Sequence, residues 1–190
     1  MKRMELVSDE QLIRWIAAGD KSCLGTLFER HHEALYNYCL QITRNSAMAE
    51  DTVQEAFLRM LKASASFRGD GSFRGWMFNI ARNLIFDQMR RDKRLQPMDE
   101  KKQEKQVANE PGPERVASDR QGTALLERAL GCLPETAREV IWLGRFQFDG
   151  YTELGQALDC SAGTARVRMH RAMKQLREVF LRLSEESDYA

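Results

Sequence analysis

The chain is 190 residues long, with 43% hydrophobic and 30% charged residues, 29 basic against 28 acidic groups and a formal net charge of +1. That balance describes a globular protein of one large or two small domains and excludes a disordered or wholly basic chain. No apolar run approaches the roughly 20 residues of a membrane span, and the N-terminus lacks the apolar core of a signal peptide.

Apolar residues recur at helical spacing almost throughout and strand-like alternation does not appear, so the predicted fold class is all-α. Four helices are predicted in the first part of the chain, over about 9–18, 20–43, 48–65 and 72–92, with Asp9, Asp20 and Ser46 as candidate caps of the first three. His31 and His32 fall in the second helix without metal partners and read as ordinary surface or half-buried residues. The third helix has a core stripe of Val53, Phe57 and Met60; its other face carries Asp51, Gln54, Glu55, Leu58 and Lys62. An exposed leucine among polar groups suits docking against a helix of another protein, although a single exposed apolar side chain is also common.

Arg68-Gly-Asp-Gly71 breaks the chain before the fourth helix. That helix has a core stripe of Phe73, Met77, Ile80, Ala81 and Leu84, and beside it a second stripe of Trp76, Asn79, Asn83, Phe86 and Arg90. Phe67 and Arg68 in the preceding loop extend the second stripe. Aromatic, amide and basic groups on one face suit unpaired bases: rings stack, amides bond base edges and arginines hold phosphates. The plainer alternative is that Trp76 and Phe86 pack on neighbouring helices.

Residues 96–121 hold three of the four prolines and no aromatic residue. Such a segment buries too little surface to offset chain entropy and reads as a flexible linker between domains at 1–95 and 122–184. Beyond it, a helix over 122–131 is followed by Leu133-Pro134 and a helix over 135–147 that buries Val140, Ile141, Leu143 and Phe146. A short helix from Thr152, its candidate cap, to Leu158 then turns through Asp159-Cys160-Ser161 into a second helix capped by Ser161. This is a helix-turn-helix pattern. Residues 184–190 read as a frayed acidic tail.

The last helix opens a basic island. Residues 160–177 hold Arg166, Arg168, Arg171, Lys174 and Arg177 and no acidic residue. Ala165, Met169, Ala172, Leu176 and Phe180 form its apolar stripe; Gly163, Val167, His170, Arg171 and Lys174 lie opposite, with Arg166 and Arg168 on the flanks. Arginine suits a guanine edge and valine a thymine methyl, so this face fits a major groove, with flanking arginines on phosphates. An ordinary helical hairpin with a solvated basic face gives the same pattern.

Four cysteines (Cys23, Cys39, Cys132, Cys160) lack paired ligand spacing and read as reduced packing residues; no metal or cofactor is expected. Gly-rich phosphate loops, His-Glu-x-x-His and nucleophile elbows are absent from the sequence, so no catalytic residue is assigned.

Taken in order, these constellations resemble the bacterial sigma factors of the extracytoplasmic-function (ECF) group of the sigma-70 family. The carrying residues are Ala49-Glu-Asp-Thr-Val-Gln-Glu-Ala-Phe-Leu58, Phe67-Arg-Gly-Asp-Gly-Ser-Phe73 with Trp76 and Ile80-Ala-Arg-Asn83, Leu133-Pro-Glu, Tyr151-Thr-Glu-Leu-Gly and Gly163-Thr-Ala-Arg-Val-Arg-Met-His-Arg-Ala172. The resemblance implies an N-terminal helical bundle and a C-terminal helix-turn-helix domain on a flexible linker. It implies a non-enzymatic, cytoplasmic protein that binds core RNA polymerase and promoter DNA and is held by an anti-sigma factor. By position, Asp51, Gln54, Glu55 and Leu58 would grip the clamp helices of the polymerase's largest subunit. Phe67, Trp76, Asn79 and Asn83 would read and melt the −10 element. Arg166, Val167, His170 and Arg171 would read the −35 element, with Thr164 and Arg168 on phosphates. Val167 and His170 stand at positions that vary in the family, which leaves the −35 sequence open. Two other classes fit parts of the pattern: a stand-alone helix-turn-helix regulator, and a helical adaptor that binds proteins alone.

Overall fold

The computed structural model describes residues 7–67, 69, 71–95 and 117–188. Arg68, most of the expected linker (96–116) and the last two residues of the expected tail lie outside these.

Helix α1 (Asp9–Ala17) buries Leu12, Ile13 and Ile16. Its cap is Ser8 rather than Asp9: the Ser8 hydroxyl accepts from the Gln11 amide at 3.2 Å. Asp9 is instead the first helical residue and ties α1 to α2, 2.7 Å from both the Arg30 guanidinium and His31 Nε2. Helix α2 (Cys23–Thr43) starts later than expected. The Asp20 carboxylate accepts from the Ser22 amide at 3.1 Å, which makes a turn before the helix rather than its cap. The left-handed Arg44 (φ 54°) ends α2. Asn45, not Ser46, then caps α3 (Ser46–Ala63) by accepting from the Met48 amide at 3.0 Å. A single 3-10 turn (Ser64–Ser66) leads to α4 (Phe73–Leu95), whose first amide donates to Glu10 at 3.2 Å. The expected core stripes of α3 and α4 are buried, apart from a half-buried Ile80.

In the second half, α5 (Ala117–Gly131) begins inside the segment expected to be linker. Pro134 caps α6 (Glu135–Trp142). The expected continuation to 147 is not α-helical: residues Leu143–Gln147 form a π-helical turn closed by the Phe148 amide on the Leu143 carbonyl at 3.0 Å. The wider turn swings Phe146 into solvent, 69% exposed instead of buried, and carries Phe148 inward. Helix α7 (Tyr151–Ala157) has Gly150 at its cap position, and the Thr152 side chain does not cap it. Helix α8 (Ala162–Asp188) is the spine on which α5, α6 and α7 pack. It continues as far as Asp188, into the segment expected to fray.

The two halves pack on each other, α4 against α7 and α2 against α6, and share one apolar core. Aromatic rings fill the seam: Tyr38 and Phe78 from the first half meet Trp142 and Phe148 from the second at centroid distances of 5.6 to 6.4 Å. Gly75 permits the close approach of α4 and α7, because a β-carbon there would lie 3.0 Å from Gln156 Cβ.

Candidate nucleic-acid interface

The helix-turn-helix is set by its turn. Asp159 adopts φ 51°, and the Cys160 amide returns to the Gly155 carbonyl at 2.8 Å. Any β-carbon on Gly155 would meet the Cys160 carbonyl at 2.7 Å, so the two helices can cross this closely on glycine alone. Ser161 caps α8 as expected, accepting from the Thr164 amide at 3.1 Å. Its hydroxyl also bonds Thr164 Oγ1 at 2.9 Å.

Ala165, Met169, Ala172 and Leu176 are buried against the rest of the domain. Thr164, Arg166, Val167, Arg168, His170 and Arg171 all stand exposed on α8, with Val167 48% accessible. The Arg166 guanidinium lies 5.2 Å over the Tyr151 ring, a cation–π contact that holds it at the front of the helix. Arg168 turns one nitrogen back to the Leu158 carbonyl at 3.4 Å.

Phe67, Trp76, Asn79 and Asn83 also come together. The Phe67 and Trp76 rings are 5.4 Å apart, and Phe73 supports both from below. They edge a cleft of about 330 Å³ whose other walls include Ser66, Ser72 and Asn79. Along α4 the Asn83 amide donates to Asn79 Oδ1 at 3.1 Å, and Asn79 donates onward to the Ala157 carbonyl at 3.4 Å. Further along, the Arg82 guanidinium lies over Phe86 at 5.1 Å. Neither reading of Trp76 and Phe86 is whole: both rings are half-buried, packed on one side and open on the other.

Asp51, Gln54, Glu55 and Leu58 share the outer face of α3. Leu58 is 48% exposed. Glu55 pairs with Arg59 at 3.1 Å, a solvated contact one helical turn apart. The sequence reading missed Phe28, an exposed ring on α2 that rests on Phe57 of α3 at 4.9 Å.

It also missed the polar groups of the seam. Glu139 is 1% exposed; it accepts from the Tyr38 hydroxyl at 2.8 Å and faces Arg82 Nε at 3.1 Å. Burial pushes its carboxyl above the usual glutamate range against the opposing pull of Arg82 and Tyr38. The same burial, with the Glu139 charge beside it, drives the Tyr38 phenol well above its ordinary value. A buried acid in a region read as core leaves no signal in a one-helix apolar pattern. Among the described residues no cluster of His, Cys, Asp and Glu is placed to hold a metal, and no helix is long and apolar enough to cross a membrane.

Residues 27–95 match the family described as Sigma-70 region 2, and residues 123–176 the one described as Sigma-70, region 4. The chain is 31% identical over 178 residues to the ECF RNA polymerase sigma factor SigE of Mycolicibacterium smegmatis, spanning 90% of this chain and 68% of that protein. It is 27% identical over 183 residues to the ECF RNA polymerase sigma-E factor of Escherichia coli, covering 90% of this chain and 94% of that one. Among solved structures, the sigma factor RpoE of Bartonella quintana, in complex with the anti-sigma factor NepR, aligns with a TM-score of 0.67 at 26% identity over 82% of this chain and 94% of the other.

Proposed function

The chain belongs to the ECF group of the sigma-70 family, as an alternative sigma factor that binds core RNA polymerase and directs promoter-specific initiation, and on that premise we propose how its three surfaces divide the work. The outer face of α3, with Asp51, Gln54, Glu55 and Leu58, docks on the clamp helices of the polymerase's largest subunit. Arg166, Val167, His170 and Arg171 read the −35 duplex in the major groove, and Thr164 and Arg168 hold phosphates. Phe67, Trp76, Asn79 and Asn83 capture unpaired bases of the −10 element.

The observation that carries this reading is the Phe67–Trp76 pair, open on a cleft beside the Asn79–Asn83 amide ladder. Rings and amides on one wall are what an unstacked base needs. Unstacking costs a few kcal/mol per base, and stacking on a protein ring returns about 1–3. Promoter melting is then near balance, and capture of the strand tips it. In this reading the domains at 1–95 and 122–184 act as separate units on the 96–121 linker, which raises the effective concentration of the second contact once the first is made. The protein transfers no group, works in the cytoplasm and is restrained by an anti-sigma factor, as RpoE is bound by NepR.

Permanganate footprinting of polymerase–promoter complexes tests the division. Phe67→Ala and Asn79→Ala are expected to suppress reactive thymines at −10 while duplex binding at −35 persists; Arg171→Ala is expected to weaken duplex binding first. Unchanged thymine reactivity in both N-terminal variants would contradict the assignment of the strand-reading face.

A further inference from the structure

We propose that the cleft between α4, α6 and α8 is a binding site for a small polyphosphate, in which the guanidiniums of Arg82, Arg168 and Arg171 hold the phosphate chain of a ligand such as a nucleoside triphosphate. This goes beyond the division of surfaces made above: the site is formed within the chain and needs neither polymerase nor promoter.

The cleft has a volume of about 350 Å³, at the lower end of the roughly 300–1,000 Å³ of small-molecule pockets. Its polar walls are Arg82 of α4, Thr136 and Glu139 of α6, and Arg168, Arg171 and Gln175 of α8. The last three stand at i, i+3 and i+7, so one flank of α8 delivers them all to the same side. Arg166, His170 and Lys174 lie on the other flank and do not line the cleft. Helical position thus divides the basic island in two.

The charges of the cleft do not cancel. Its acid, Glu139, is committed to Arg82, whose Nε lies 3.1 Å from the carboxylate, and to the Tyr38 hydroxyl. Arg168 makes one long bond, 3.4 Å to the Leu158 carbonyl, and among the described residues Arg171 enters no hydrogen bond or ion pair. Both keep N–H groups for a ligand, and a bound anion relieves the repulsion of two like charges one helical turn apart. Thr136 adds a hydroxyl and Gln175 an amide, both on exposed residues. No side chain caps the first turn of α6, where Thr136 stands, so the amide end of that helix adds partial positive charge.

Several phosphates match this set better than one carboxylate. Planar guanidiniums bind phosphate oxygens in pairs, and the forks around this cavity exceed what the two oxygens of a carboxylate can receive. The rest of the lining, Ala137, Val140 and Ala172, is small and aliphatic, with no ring on which a nucleobase could stack. Recognition therefore falls on the phosphate chain, whatever base it carries.

DNA offers phosphates too, and isothermal titration calorimetry of the full chain separates the two sources. The probes are tripolyphosphate, ATP, GTP, inorganic phosphate and a short DNA duplex, at fixed ionic strength and without divalent metal. Tripolyphosphate, ATP and GTP are expected to bind one to one with affinities within about threefold of each other, and inorganic phosphate about tenfold or more weaker. Thr136→Glu/Gln175→Glu adds carboxylates to the cleft at exposed positions and should weaken the three polyphosphates about tenfold or more. Lys174→Glu changes the net charge equally on the other flank and should leave them within about twofold. Tripolyphosphate should also raise the thermal midpoint of the unsubstituted chain and not that of the double variant. Unsaturable uptake, equal losses in the double variant and Lys174→Glu, or affinity that depends on the base would overturn the proposal. So would a double variant that loses duplex binding alone, which would give the cleft to the DNA backbone.

Discussion

Glu139 illustrates how much a single side chain can hold. It is a carboxylate inside an aromatic seam, tolerated because Tyr38 and Arg82 satisfy it. Arg82 keeps partial access to water, but the Tyr38 hydroxyl is fully buried. Glu139→Ala therefore strands a buried donor, and urea unfolding should show a loss of about 1–3 kcal/mol. Glu139→Gln keeps an acceptor for Tyr38 and should lose less. Asp9 makes a pH prediction. Burial opposes its ionisation, but hydrogen bonds and charge from His31 and Arg30 outweigh that and hold its carboxyl below the usual aspartate range. The unfolded chain then binds the proton more tightly, so this contribution is present above the ordinary aspartate pKa and is lost as pH falls through the lowered one. Urea midpoints should drop below about pH 4, and Asp9→Asn should flatten that drop. On the reading helix, Arg171→Ala should cost about 1–3 kcal/mol in duplex affinity if it contacts a base, and nothing if the helix binds protein alone.

At the scale of elements, the helix-turn-helix was legible because its signals are local: a capping serine, an apolar stripe from Ala165 to Leu176 and a run of arginines. Its dependence on Gly155 was not, since that follows from how closely Cys160 approaches in space. Gly155→Ala should separate the two helices at a cost of about 1–3 kcal/mol, seen as a lower denaturation midpoint together with weakened duplex binding. Unaltered stability would mean the turn relaxes freely. The outer face of α3 was equally readable, as one helix settles which residues point away from its core. Phe146 was misplaced for the opposite reason. Nothing in Leu143-Gly-Arg-Phe-Gln147 announces a π turn, and a regular 3.6-residue count rotates the ring inward. The cap positions slipped by a residue or so for a similar cause: Ser8 and Asp9, or Asn45 and Ser46, are chemically near-equivalent caps, and backbone geometry decides between them.

For the whole molecule, composition alone suggested two helical halves, because residues 96–121 are too polar to form a core. It gave no hint that the halves share a seam. Phe78, Trp142 and Phe148, and likewise Tyr38, Arg82 and Glu139, lie far apart along the chain, and only the folded chain brings them together. The result is a protein in which the outer face of α3 is exposed while α4 packs against α7. The central claim remains that this chain makes core polymerase promoter-specific through three separable surfaces. Run-off transcription tests that most directly. Core enzyme silent on a pool of promoter fragments should yield discrete transcripts when this protein is added, and Gln54→Ala/Leu58→Ala should weaken them without unfolding the chain. No transcripts from any fragment, alongside tight duplex binding by the protein alone, would contradict the account and identify a stand-alone DNA-binding regulator.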